Sequence, residues 1–309
     1  MAGESSKFGA AVLLLGLAGS CGHGGPPSRR FFVRGSAGAL AAASATPLLP
    51  AGAALRPYPL ASDVASELLD YDWSEGWPYD AQAFSRVDES ADPLFYSDSR
   101  LVYHVDDQAV QSMKGFYEKV LTRVGGEPRA LDVLDICASW VSFLPERTFL
   151  GDASVSCVVG VGLNRDELVA NKQLTKFRVQ DLNASPSLAW LQPESFDAAF
   201  CTVSVEYLTR PRAVFAEVAR VLRPGAPFVV CFSDRLFFSK AVSLWTGRSD
   251  LDHVDAVAAY FHFAGAGGLF EPPMALRIDT APRSGVDPVF VVFAARAGAQ
   301  PLVPVVKQL

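Results

Sequence analysis

The sequence predicts an α/β fold: a doubly wound, seven-stranded mixed sheet closed by a terminal β-hairpin. Two observations predict it. From residue 130 onward, apolar runs of strand length alternate with segments of helical periodicity, the order that builds a parallel sheet covered by helices on both faces. Near the carboxyl end, apolar runs at 275–280 and 289–295 flank a Pro-containing connection at 282–288. They read as the arms of a hairpin, with 289–295 as the one antiparallel strand.

Each element has its own warrant. Ala109/Val110, Met113, Phe116/Tyr117, Val120/Leu121 and Val124 recur at helical spacing, so 106–124 is predicted helical, with Asp106 or Asp107 as N-cap and Gly125-Gly126 as the stop. Residues 130–137 read as a strand entering an Ala-Ser-Trp turn, and 156–161 as the next strand. A helix over 165–174 and a short strand over 177–180, ending at Asp181, follow. Strand, helix and strand come next at 196–202, 211–222 and 228–233, then helices at 239–245 and 252–263. Residues 55–100 are rich in Pro, Asp, Ser, Tyr and Trp and lack periodicity; they read as an extended lead-in with short helices. The predicted organisation is a presequence (1–54), this lead-in, one domain (101–298) and a tail (299–309).

A length of 309 residues with 50% hydrophobic content is ample for one well-buried domain plus a targeting segment. Net charge is −6, and no dense Lys/Arg run follows the presequence, which disfavours a non-specific nucleic-acid binder. No later segment is apolar enough to span a membrane. Of the five cysteines, Cys137, Cys157, Cys201 and Cys231 fall in or at the end of apolar β-like runs, as buried free thiols do. Four also permit disulfides, and the sequence does not say which would pair. No CxxC or Cys/His cluster has metal-site spacing, and His253 and His262 stand nine apart on one predicted helix, so no metal is expected.

Residues 1–54 read as an address. They hold Lys7, Arg29, Arg30 and Arg34 against the single acid Glu4, with an apolar run at 8–19 suited to a signal h-region. Ser28-Arg29-Arg30-Phe31-Phe32 resembles a twin-arginine export motif, followed by the small-residue site Ala51-Gly52-Ala53. Two addresses in tandem resemble a plastid (chloroplast) precursor whose second part directs export to the thylakoid lumen; an ordinary transit peptide with an accidental Arg pair is the plainer reading. Without 1–54 the totals of 27 basic and 33 acidic residues fall to 23 and 32, a net charge of about −9.

The run from Asp197 through Leu208, the helix begun by Pro211, then Arg220-Val221-Leu222-Arg223-Pro224-Gly225 and the strand after it resemble the second half of a class I S-adenosylmethionine-dependent methyltransferase of the type 11 kind. The likeness covers about residues 100–295 and implies the Rossmann-like methyltransferase sheet, with S-adenosyl-L-methionine as cofactor. Leu134-Asp135-Ile136-Cys137-Ala138-Ser139-Trp140-Val141-Ser142, with Gly160 to Asn164 and Ser233-Asp234-Arg235, further resembles a plant and algal plastid subgroup.

The resemblance assigns roles residue by residue. Asp135 stands at the acidic position of the turn after the first strand, while its three glycine positions hold Cys137, Ser139 and Val141. Ala138 and Ser139 are still small enough for a tight turn. The ribose-binding carboxylate position holds Gly162. Asn164, two residues on, offers a neutral acceptor, and on this view Asn164→Asp strengthens cofactor binding. Asp181 matches the acid that bonds the adenine amino group. The loop 202–207 is placed beneath the sulfonium: Ser204 against cofactor or substrate, with Glu206 as candidate base and Tyr207 beside it. His104 precedes the first strand where an upstream segment closes over the cofactor. Trp245, Tyr260, Phe261 and Phe263 line a substrate pocket or pack the core.

The leading reading is methyl transfer to a small molecule or a protein side chain, where proximity and in-line geometry do most of the work. The alternative is a non-catalytic, methyltransferase-like binding or assembly protein of the plastid, favoured by the missing glycines and by Gly162. A nicotinamide-dependent oxidoreductase fits poorly, because the first strand lacks the glycine fingerprint.

Overall fold

The computed structural model describes residues 32–34, 76–125, 130–145, 154–279 and 285–298. Apart from 32–34, the predicted presequence with its arginine pair and small-residue site lies outside the described residues, as do 55–75 and the 299–309 tail. Among the described residues no helix is long and apolar enough to cross a membrane.

In chain order the strands are β1 (Phe32–Arg34), β2 (Ala130–Ile136), β3 (Ser154–Gly162), β4 (Lys176–Val179), β5 (Ala198–Thr202), β6 (Pro227–Phe232), β7 (Arg235–Phe237), β8 (Met274–Arg277) and β9 (Phe290–Ala295). The helices are α1 (Asp92–Phe95), α2 (Asp107–Gly125), α3 (Arg165–Ala170), α4 (Pro211–Val221) and α5 (Asp250–His262). Seven strands form one sheet in the order β4-β3-β2-β5-β6-β9-β8, and β1 and β7 make a separate antiparallel pair. The five strands β4 to β6 across the sheet run parallel, while β9 runs antiparallel to both β6 and β8. This is the predicted doubly wound, seven-stranded mixed sheet, with the closing hairpin where the sequence predicts it.

Alternate residues of the central strands feed two cores. Val133, Phe200, Val229 and Val291 point to one face, against Met113, Tyr117, Val120 and Leu121 of α2. Leu134, Ala199, Val230 and Val292 point to the other, against Val214 and Phe215 of α4 and Tyr260 and Phe261 of α5. With both faces covered, β6 and β9 are buried at every position, hence their unbroken apolar runs. Caps set the helix ends. Asp106 Oδ1 accepts the Ala109 N–H at 2.9 Å to start α2, and Ser249 with Asp252 forms a reciprocal capping box at α5.

Two helices differ from their predicted extents. α3 stops at Ala170, not 174, because Asn171 turns its amide to Ser139 O and Ser142 Oγ, both at 2.9 Å, and takes an extended backbone. The helix predicted over 239–245 is absent. Its backbone N–H groups are drawn outward: Val242 to Glu206 O at 3.0 Å, Ser243 to Ser85 O at 2.8 Å and Leu244 to Ala83 O at 2.7 Å. That segment thus bonds to the lead-in and to the loop after β5, keeping one local turn from Trp245 N–H to Val242 O at 2.8 Å.

The lead-in contributes a short 3₁₀ turn (Ala81–Phe84) and α1, and charge holds it down. Lys240 is fully buried; its Nζ donates to Ser90 O at 2.6 Å and Asp88 O at 3.2 Å and lies 3.4 Å from Asp92 Oδ1. Arg86 pairs with Asp92 Oδ1 at 2.6 Å, and Asn183 donates to Asp92 Oδ2 at 2.8 Å.

The tightest backbone approach is at the end of β3. Ala138 donates its N–H to Val161 O at 2.8 Å, which lays the turn after β2 across Gly162, and a Cβ on Gly162 would overlap the Ala138 carbonyl oxygen. Backbone cannot yield as a side-chain tip does. Gly162→Ala is therefore expected to cost at least about 2 kcal/mol, whereas Gly115→Ala, where nothing lies within 4 Å, leaves stability unchanged or raises it. Urea denaturation of the two variants measures both.

Candidate functional site

A cleft opens beyond the carboxyl ends of β2, β3 and β5, where strand order reverses on either side of β2. It encloses about 820 Å³ of empty space, its open mouth included. The turn from Cys137 to Ser139 makes the floor, Gly162 and Asn164 one wall, Asp181 and Asn183 another. Ser204 and Tyr207 come from the loop after β5, and Tyr96, Arg100 and His104 close over from the lead-in.

The floor turn keeps a glycine-like backbone without glycine. Cys137 has φ of 55°, the left-handed conformation in which glycine carries no Cβ penalty, at the first glycine position of the resemblance. Gly162 is equally constrained. Since even a methyl group does not fit there, no carboxylate can stand at that position in this chain. Its lack of an acid follows from the turn packed on it.

Asn164 lines the cleft, but its amide is engaged. Oδ1 caps α3 by accepting from Asp166 N at 2.9 Å and Glu167 N at 3.1 Å, while Nδ2 donates to Tyr96 O at 2.9 Å and Ser97 O at 3.1 Å. It ties the lead-in to α3 and is not a spare acceptor. Asp181 lines the cleft with Oδ1 accepting from Asn183 N at 2.8 Å and Ala184 N at 3.2 Å. Ser204 donates to Thr202 O at 2.9 Å, and the Tyr207 hydroxyl accepts from Phe237 N at 2.8 Å.

The two carboxyl groups with the largest upward displacement lie off the cleft. Asp135 faces a smaller adjoining cavity that shares His104, Cys137 and Ser139 with the main one. Burial pushes its carboxyl up to about 7 against a Ser142 hydrogen bond that lowers it, and Oδ2 has no hydrogen-bond partner. Glu206, the candidate base, does not line the cleft. It is buried beneath it, and burial pushes it up to about 8 against hydrogen bonds with its own backbone and the Tyr207 hydroxyl, which lower it. An un-ionised acid out of reach of the cleft is no base in this conformation. His104 does line the cleft, its ring 5.3 Å from Phe237; burial, then the Arg100 charge, bring its imidazole down to about 4, so it is neutral at pH 7.

Several lining residues lie outside the sequence expectations. Glu167 Oε2 accepts from Ser139 Oγ at 2.6 Å and Oε1 from Arg100 N at 2.7 Å, bridging floor and lead-in. An Asn-x-x-Glu helix start at 164–167 was the available clue. The Arg100 guanidinium sits 4.9 Å from the Phe95 ring centre and 5.3 Å from that of Phe237. Nothing in the lead-in's irregular pattern singles it out. Of the two readings of the aromatics, core packing holds for Trp245, Tyr260 and Phe261, which are buried in the core; none of the four, Phe263 included, lines the cleft. His253 stacks on Trp245 at 4.3 Å and bonds its carbonyl at 2.8 Å. Among the described residues no group of three or more Cys, His, Asp or Glu side chains is placed to hold a metal ion.

A family model described as a methyltransferase domain matches residues 149–230. No curated protein matches the sequence. Among solved structures, phosphoethanolamine N-methyltransferase 2 of Haemonchus contortus, in complex with S-adenosyl-L-methionine, is 13% identical over 60% of this chain and 53% of its own, with a TM-score of 0.40. An S-adenosylmethionine-dependent methyltransferase from Mesorhizobium loti is 16% identical over 60% of this chain and 98% of its own, TM-score 0.40. The CurJ carbon methyltransferase is 14% identical over 63% and 57%, TM-score 0.44. The match thus spans about half the length of the Haemonchus protein.

Two predictions come from the site. Asn164→Asp replaces a donor to two carbonyls with a carboxylate facing them, so it is expected to destabilise the fold by about 1–3 kcal/mol in chemical denaturation and not to strengthen the cleft. Glu206 is raised in the folded state to about 8, so from about pH 4.5 to 8 the unfolded chain gives up its proton first and stability falls. Glu206→Gln removes that slope. Its stability relative to the unmodified protein should climb by roughly 2–5 kcal/mol across that window, as urea melts at pH 4.5, 6 and 8 would record.

Proposed function

We propose that this chain is an S-adenosylmethionine-dependent methyltransferase acting on a small molecule or a protein side chain. The observation that carries the reading is the cleft at the strand-order reversal of a seven-stranded sheet whose β9 is antiparallel, within a chain whose residues 149–230 match a methyltransferase domain. The composition of residues 1–54 and the likeness of 134–142 support placing the protein in a plastid as part of the same proposal.

The residues fit such a cofactor in three respects. Asp181 offers a carboxylate on the cleft wall at the end of β4. The Cys137–Ser139 turn brings backbone close to the floor through a left-handed residue. Gly162 leaves the wall beside it without a side chain. The cofactor would supply an electrophilic methyl group on a sulfonium. The chain's part is to hold Asp181 and the Cys137–Ser139 turn against it, and to exclude water with Tyr96, Tyr207 and Phe237. Transfer of this kind asks for alignment more than for a base, so the withdrawal of Glu206 from the cleft does not weigh against it.

A second reading, a non-catalytic binding or assembly protein, is favoured by one observation: the wall that would meet the ribose offers neither a carboxylate at Gly162 nor an unengaged amide at Asn164. Calorimetric titration of S-adenosylhomocysteine into the full chain separates the two. Binding that weakens by about 1–3 kcal/mol in Asp181→Ala, the loss expected for a hydrogen bond to a charged group, supports the enzyme. No heat of binding at millimolar ligand leaves the assembly reading standing.

A further inference from the structure

The four cysteines of the described residues are all reduced, yet two of them are neighbours. Ile136 of β2 pairs with Cys201 of β5, so Cys137 is the next residue along from Cys201's direct partner. The left-handed conformation at Cys137 breaks the strand alternation there, so Cys137 packs on the same core as Ile136 and Cys201 and not on the opposite face. The side chains follow the backbone: the Cys137 thiol is in hydrogen-bonding contact with that of Cys201, and both belong to the same face of the sheet. The two thiols differ in access. Cys137 is half-buried and lines both the cleft and its adjoining cavity, whereas Cys201 is fully buried beneath it.

The remaining cysteines are poorly placed to compete. Cys231 pairs in register with Thr202, one residue on from Cys201, and so points to the opposite face among the residues packed on α2. Cys157 lies toward the start of β3, with its sulfur 3.2 Å from Thr175 Oγ1.

We propose that Cys137 and Cys201 are an oxidisable dithiol at the floor of the cleft, closed to a disulfide by a hydroperoxide that enters through the cleft. The Cys137 thiol gives up its proton and its thiolate attacks one peroxide oxygen; the O–O bond breaks, the departing oxygen takes up that proton and leaves as water (as an alcohol from an organic hydroperoxide), and Cys137 becomes a sulfenic acid. Cys201 then attacks the Cys137 sulfur. The S–S bond forms, the S–O bond breaks, and the Cys201 proton leaves with the oxygen as a second water. Two thiols are oxidised and one peroxide is reduced. Its hydrogen bond with Cys137, then burial, hold the Cys201 thiol well above its ordinary range, and Cys137 is the thiol that faces the cleft, so Cys137 meets the peroxide first. The bridge ties the left-handed turn to β5 and so fixes the cleft floor in the shape it already has.

The test is stoichiometric hydrogen peroxide on the full-length protein, followed by alkylation of remaining thiols and non-reducing peptide mapping. The expected result is a peptide pair joining Cys137 to Cys201, with Cys157 and Cys231 still alkylated, and a rise in Tm that dithiothreitol reverses. With its resolving thiol removed, Cys201→Ala should instead accumulate a Cys137 sulfenic acid that dimedone captures; Cys201→Ser serves if the alanine variant fails to fold. A bridge from Cys137 to Cys157, to Cys231 or to another molecule overturns the proposal. So does Cys137 sulfinic acid in a protein whose Cys201 is still reduced. None of these outcomes depends on whether the cleft binds S-adenosylmethionine.

Discussion

The cleft exists because one piece of backbone crosses another. The turn after β2 lies on the last residue of β3, held by the Ala138 N–H to Val161 O bond, and Gly162 is the residue that lets it lie there. Everything that meets the cleft is referred to this crossing. Ser139 reaches Glu167 from it, Asn171 ends α3 on its carbonyl, and Cys137 bends through a left-handed conformation to begin it. A bulkier residue at 162 would lift the turn and break all three at once. Close contact here substitutes for the glycine-rich turn of the resemblance: the glycine has moved from the turn to the strand beneath it.

Much of the sheet was legible in the sequence, because strand burial on two faces writes long apolar runs, and helices on those faces write a period near 3.6. The failures have a common physical cause. The 239–245 segment has helical spacing, but long-range backbone bonds to Ala83, Ser85 and Glu206 outbid local ones. Asn164 and Glu206 were read from position along a strand-loop unit. Position does not reveal that Asn164 holds the lead-in, nor that Glu206 turns beneath the floor. Arg100, Glu167 and Phe237 reach the cleft through tertiary contacts between segments more than 60 residues apart, as with the Arg100 to Glu167 bond, and no local pattern records that.

The electrostatics around the cleft separate by depth. The deep groups are held toward neutrality by burial: Glu206 up, His104 down, and Asp135 up to about 7. Charge is kept at the rim and walls, where Arg100, Glu167 and Asp181 each have polar or aromatic neighbours. A cleft with an apolar, un-ionised base and charged walls orients a polar ligand by its edges and leaves its centre in a low-dielectric setting, where positioned dipoles act strongly.

Lys240 gives the lead-in a place in time as well as in space. Its ammonium is fully buried, and its hydrogen-bond acceptors at Ser90 and Asp88 lie 150 or more residues earlier in the chain. During synthesis at about 5–20 residues per second, the lead-in therefore waits on the order of 10–30 seconds before the residue that anchors it has been made. Until then Asp92 has Arg86 for charge partner, and the roof of the cleft has only its polar contacts with Asn164, Glu167 and Asn183 to close upon. A segment translated early thus gains its buried anchor late, and the roof of the cleft is completed well after its own residues have been made.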